Sequence, residues 1–570
     1  MLRRTIFVFL GLVVLLAVFG GWATWRALQA RTDLTAAQST LSAVRADLRE
    51  GRVDEALQAL PALRERLDRA ASRTGGLSTS VAVHLPVLGR HLRAVRNVAD
   101  AGRLLGDRAL PKLVDALDIV RRQHPVRAGV VDLTLLARIG DDVRAAAEAT
   151  AQARKTLNTD NGPLLAQVRT KLDEVRAKVD GLDDGLQRAV KAFAIAPSML
   201  GADGPRTYFV AVQNNAEARA TGGLIGAFAL IRTDRGRIDL QRTGTDGDFQ
   251  VSDTPAVILP GAAKTWQDIG STRAWFDTNL TPHFPDAAQA MAGLWHRQGG
   301  ALVDGVLSVD PLVMSELLRA SGPVQLGGAT VSADNVVDFV GHQEYVAFPD
   351  NEVRKKLLAA LAEKVFHQVV AGADSSATAK GLLKAAGSGH LFLWSRHDPE
   401  QQVLSGGLVG GALPSDAKPY LSVLTQNYGG DKLDFYLRRT VSVTRVAGRL
   451  KVRIVLTNTA PLGLPLYMTV RSDRPQPPVP YGQAKVGVAV YGAQGSKVTE
   501  VTVNGAATFL LPDTDHGHFL GTTSVEVPRE RPVTIELLLT EPAGELRYRQ
   551  QPLVAADELA IDVPHRVLGR

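Results

Sequence analysis

Apolar and polar positions follow four successive patterns along the chain. From Thr5 to Trp25 no residue is charged. At about 1.5 Å per residue, roughly 20 apolar residues in a helix cross the hydrocarbon core of a bilayer. Arg3 and Arg4 precede the run, and Trp22 and Trp25 stand near its far end, where indoles favour the interface. The pattern predicts a transmembrane anchor over residues 1–26. A cleaved signal peptide has a shorter apolar run and a small-x-small exit, which Gly20-Gly21-Trp22-Ala23-Thr24-Trp25 does not supply. Arg26 and Arg31 nearly balance Arg3 and Arg4, so the expected outward orientation rests on the long downstream mass.

Residues 27–195 change to helical spacing. Leu34, Leu41, Val44 and Leu48, then Leu57, Leu60, Leu63 and Leu67, recur on one helix face. Further blocks run over 92–119, 133–157 and 163–193, with stops at Gly51 and Gly75-Gly76. A helical stalk or bundle is expected. Over 200–435 strand-like runs alternate with helical ones. Strands are expected at 208–213, 226–231, 237–240 and 306–309, and helices at 286–295, 311–320 and 350–370, which together predict a mixed α/β domain. Over 436–570 short alternating runs at 440–446, 450–456, 467–470, 485–491, 498–503, 524–527 and 533–539 predict a β-sandwich. The expected fold class is multidomain α+β, comprising anchor, helical stalk, α/β domain and sandwich.

Composition narrows the chemistry. The chain has no cysteine, which excludes disulfides, thiol nucleophiles and Cys-ligated metals. The net charge of +7 is spread along the chain without a basic, aromatic-laced stripe, so nucleic acid is not an expected partner. No GxxxxGK[ST], HExxH or GxSxG motif is present. His283, His296 and His342 lack metal-ligand spacing and read as structural or surface residues.

Four stretches are distinctive: Gln213 to Gly226, Asp277-Thr278-Asn279 with His283-Phe284-Pro285, Asp304 to Pro311, and Gln426 to Lys432. Together they resemble the domain-of-unknown-function 4012 family of actinobacterial membrane proteins, which carries no established activity. The order of elements is also similar, more weakly, to the LytR-CpsA-Psr phosphotransferases, which move glycopolymers from a lipid pyrophosphate carrier to the cell wall. That similarity implies pyrophosphate-gripping roles for Arg219 and Arg354. It also implies a metal-holding role for Asp246, with Asp248 beside it and Mg²⁺ as the ion. The chain departs from that pattern at Gly244-Thr245, where the other family has an arginine before the aspartate, and at Arg354-Lys355-Lys356. Asn214, Asn215, Asp248 and Asp277 are the candidate ligand-binding positions.

The expected function is that of an anchored, extracytoplasmic cell-envelope protein that binds or handles cell-wall or polyprenyl-linked glycans. Its expected partners are the lipid bilayer, such glycans and other envelope proteins. The alternatives are an active metal-dependent glycopolymer phosphotransferase and a non-enzymatic envelope scaffold.

Overall fold

The computed structural model describes residues 53–74, 88–160, 162–372, 374–407, 409–474 and 479–568, with isolated helical positions between 32 and 43. The expected anchor, 1–26, lies outside the described residues. Among those described, no helix is long and apolar enough to cross a membrane. The chain forms two units, one of residues 1–125 and 133–196, the other of 126–132 and 197–570.

The first unit is helical: α1 (Val53–Thr74), α2 (Leu88–Leu104), α3 (Leu110–Asp118), α4 (Leu133–Leu157) and α5 (Ala166–Met199). Its core is rich in alanine, with Ala94, Ala101, Ala146, Ala149 and Ala153 buried beside Ile139, Val143, Leu157 and Leu172. Small side chains let helix axes approach closely, as Gly102 and Gly106 do where Leu67 packs on them. The block expected to run unbroken over 92–119 is interrupted by a π-helical turn at Leu105–Ala109. Ion pairs lace the exposed faces, including Lys112 to Asp142 and Arg154 to Asp180.

The second unit is built on a seven-stranded sheet. Its strands are β1 (Val126–Arg127), β2 (Val130–Val131), β3 (Arg206–Arg219), β4 (Gly222–Asp234), β5 (Arg237–Thr245), β6 (Gly305–Val309) and β9 (Phe392–Ser395), in the order β1-β2-β5-β4-β3-β6-β9. Only β3 and β6 run parallel; the other pairings are antiparallel. Strand alternation sends Phe209 and Ala211 to one face, against helix α7 (Phe284–Arg297). Val212 faces the other way, against α8 (Pro311–Ser321) and α9 (Asn351–Gly372). A further helix, α10 (Ser375–Gly387), leads into β9, and the hairpin of β7 (Val324–Leu326) and β8 (Ala329–Val331) follows α8.

Two six-stranded sheets form the sandwich. One is ordered β16-β17-β13-β10-β19-β21: Leu511–Asp515, His518–Val527, Ala484–Gln494, Tyr420–Asn427, Leu546–Arg549 and His565–Leu568. The other is β15-β14-β18-β12-β11-β20: Ala506–Ala507, Lys497–Val503, Val533–Thr540, Arg449–Asn458, Leu437–Val446 and Glu558–Ile561. Val441, Val443, Val452, Ile454, Ile535 and Leu537 from one sheet meet Val486, Val488, Val490 and Val527 from the other in one core. Strand β10, which lies N-terminal to 436, is a central member of this sandwich and is buried along its whole length. The strand expected at 467–470 is instead a one-turn helix, Leu466–Thr469. Pro465, which cannot donate to a ladder, stands as its N-cap.

Candidate functional site

A long irregularity in β3 creates the site. β3 pairs with β4 regularly up to Val212↔Ala227, then shifts register, so that Asn214↔Leu224 is followed by Ala218↔Gly223. Asn215, Ala216 and Glu217 therefore have no partner on β4. Such a bulge re-aims side chains that a regular strand would hold in alternation. The segment expected to link two strands is instead the far end of one hairpin.

Three of the distinctive stretches meet at this bulge. Glu217 accepts from Arg219 Nη2 at 3.2 Å and pairs with Lys432, and all three residues are almost fully buried. Ala218 N–H donates to Asp434 Oδ2 at 2.8 Å, and the Asn427 amide donates to both Asp434 and Asp431. Asn279 donates to Gly223 O at 2.8 Å. Arg219 Nε donates to Phe276 O, and its Nη1 to Ala218 O and Asn427 O. Gln551 returns a bond from the sandwich to Arg219 O at 2.9 Å.

Arg354 joins the same cluster from the first turn of α9. Its guanidinium lies 4.0 Å from the Tyr467 ring centroid and 5.2 Å from that of Tyr345. Its Nη1 donates to Phe348 O and Pro349 O, and its Nη2 to Asn351. Lys432 Nζ is 5.7 Å from the Tyr467 ring, so this half-exposed tyrosine roofs both cations. The structure thus brings Arg219 and Arg354 into one network through Glu217, Lys432 and Tyr467.

Asp246 and Asp248 stand elsewhere, in a short 3₁₀ turn after β5. Asp246 pairs with Lys355 at 3.1 Å, and Asp248 caps Thr245 and pairs with Arg242 at 3.5 Å. Each carboxylate already faces a cation, so the pair does not fit a Mg²⁺ site. Asn214 donates to Tyr345 Oη and Val340 O; Asn215 donates to Asp310 and to Pro552 O. Asp277 follows Phe276, and burial pushes its carboxyl up to about 6 against the pull of Arg219.

Electrostatics in the cluster run both ways. Lys432 and Arg219 hold Glu217 below the usual carboxylate range despite the cost of its burial. Burial pushes Asp434 up to about 6, Asp431 to about 7 and Glu344 to about 8. Groups raised in the folded state bind more protons folded than unfolded. Their stabilisation is complete below about pH 4 and is lost as pH rises through the folded values. Stability is therefore expected to fall between pH 5 and 8. Glu344→Gln, which cannot ionise, is expected to flatten that fall in thermal melts across the range. An unchanged slope would remove Glu344 from the account.

Among the described residues, one further group offers metal-ligating atoms within 4.8 Å of one another: His283, Asp286 and His516. A backbone N–H only donates, so the bond from Leu413 N to His283 Nδ1 at 3.0 Å leaves the ring proton on Nε2. The two imidazoles stack at 3.9 Å with planes 18° apart, and His516 Nε2 bonds Asp286 at 2.8 Å. The contacts tie α7 to the β16–β17 turn through a histidine stack and the His516–Asp286 pair.

Sequence reasoning missed Asn427, Lys432 and Asp434 as members of the cluster, although the first two lie inside a stretch it singled out; pairing of Arg219 with Glu217 was among its readings of that arginine. Tyr467 carries no sequence signal, because its segment reads as a strand. No curated protein and no solved structure matches the chain. Residues 203–345, which supply β3 and its bulge, Asn279 and Asp310, match the family model described as a protein of unknown function (DUF4012).

Proposed function

We propose that this is a membrane-anchored, extracytoplasmic envelope protein that binds cell-wall or polyprenyl-linked glycans without turning them over. The observation that carries the non-catalytic reading is the state of the two arginines. Arg219 spends its Nε, both Nη1 hydrogens and one Nη2 hydrogen on protein acceptors, and Arg354 spends both Nη1 hydrogens on carbonyls. A pyrophosphate grip needs a free guanidinium fork. The Arg219 fork instead joins the α/β layer to the sandwich through Asn427 O, and the Arg354 fork closes the 348–351 turn at the head of α9. The anchor expected from residues 1–26 and the absence of cysteine support the envelope assignment.

The test uses the detergent-solubilised full chain, a polyprenyl-pyrophosphate-linked glycan and Mg²⁺. The expected result is saturable binding with no cleavage of the pyrophosphate bond. Cleavage that Arg219→Lys abolishes would establish the phosphotransferase instead. Absence of binding to both the carrier and purified cell wall would leave the scaffold reading.

A further inference from the structure

A second polar constellation lies at the carboxyl edge of the parallel β3–β6 pair, the edge at which open α/β sheets present ligand crevices. Asp310 ends β6 and caps α8, its Oδ1 accepting from Leu312 N at 3.0 Å and Val313 N at 3.2 Å. Its Oδ2 accepts from Asn215 Nδ2 at 3.0 Å and lies 2.5 Å from His390 Nδ1. With both oxygens of Asp310 accepting, the proton of this contact sits on His390 Nδ1. In the neutral imidazole that tautomer leaves Nε2 with a lone pair, and Nε2 has no hydrogen-bond partner among the described residues.

The histidine is fixed from its backbone. Gly389, at φ +78°, ends α10 in the left-handed region, and His390 N–H returns to Ala385 O at 2.9 Å. Asn215 is held equally well, since its amide hydrogens go to Asp310 and to Pro552 O. Its Oδ1 is buried without any donor. Two acceptors therefore flank one carboxylate, and neither has a hydrogen to accept. The oxygens of a phosphodiester only accept and are disfavoured beside this carboxylate; a ligand that supplies hydrogens is favoured.

We propose that Asn215, Asp310 and His390 form a hydroxyl-binding site for a sugar, with His390 Nε2 and Asn215 Oδ1 accepting hydrogens from its hydroxyl groups. The proposal rests on the glycan-binding reading above and names the chemistry recognised. It separates this site from the Arg219–Arg354 cluster. His390, 8% exposed, is the least buried of the three residues.

The experiment measures binding of soluble oligosaccharides released from purified cell wall to the solubilised full chain by calorimetry. His390→Phe, which keeps an aromatic ring and removes the acceptor, is expected to weaken binding about tenfold with an unchanged melting temperature. His390→Gln restores an acceptor and is expected to recover part of it, and it serves as the test if the phenylalanine variant does not fold. Equal affinity in all three proteins, or displacement of the oligosaccharide by inorganic phosphate, overturns the site. Retained binding of intact wall by every variant would overturn the site alone and leave the glycan-binding reading standing. A wild-type chain that binds neither wall nor oligosaccharide overturns both.

Discussion

Lys432→Met is expected to destabilise the second unit by about 3–5 kcal/mol, the usual cost of stranding one partner of a buried ion pair. Glu217 and Lys432 are each only about 6% exposed, and the carboxylate of Glu217 is shared between Lys432 and Arg219. Removing the ammonium leaves a buried carboxylate with one cation and raises its protonation. The sign with pH follows from the lowered carboxyl. Its stabilisation is present above the unfolded value and is lost as pH falls through the folded one. The deficit of Lys432→Met should therefore be larger at pH 7 than near pH 4, where Glu217 is protonated in the variant. Adding Glu217→Gln removes the stranded charge and should recover most of the loss. Denaturant midpoints of the four proteins of this cycle measure it. A single-variant cost below about 1 kcal/mol would mean that the pair is hydrated, contrary to the burial seen here.

This cycle also separates what was legible in the sequence from what was not. Periodicity recovered the helices at 284–297, 311–321 and 351–372 and most sandwich strands, because each buries one face and shows it in its spacing. It failed at 214–219, where a bulge leaves three residues unpaired and buries polar side chains on all sides. No local pattern marks that state, because Glu217 and Asn215 also take partners 215 and 337 residues away, at Lys432 and Pro552. The motifs Gln213 to Gly226 and Gln426 to Lys432 were visible as unusual polar runs, yet their contact is a tertiary fact. The resemblance singles out Arg219 and Arg354, and the structure places both in one network, where the Nη1 hydrogens of each go to carbonyls. The strands at 546–549, 558–561 and 565–568 escaped notice because each is four residues long and pairs in parallel with a distant strand.

Gly223→Ala should prove the most disruptive of the glycine substitutions in the β3–β4 hairpin. A Cβ at Gly223 would overlap the Asn214 carbonyl, which is backbone and cannot swing away. Gly223 N–H also donates to Gln213 Oε1 at 2.8 Å, and its carbonyl receives the Asn279 amide. Relieving the overlap means moving the bulge, and with it Asn215 and Glu217, so the cost is expected at about 3 kcal/mol, the upper end for overpacking. Gly505→Ala provides the comparison. Its φ of +81° is strained for alanine, but nothing lies within 4 Å of the added carbon, so it should cost about 1 kcal/mol. The two substitutions thus separate a contact constraint from a conformational one. If glycine at 223 only served turn geometry, the two variants would lose similar stability in denaturant titrations. A much larger loss at 223, together with weakened oligosaccharide binding at His390, would tie the bulge to both the joint and the sugar site.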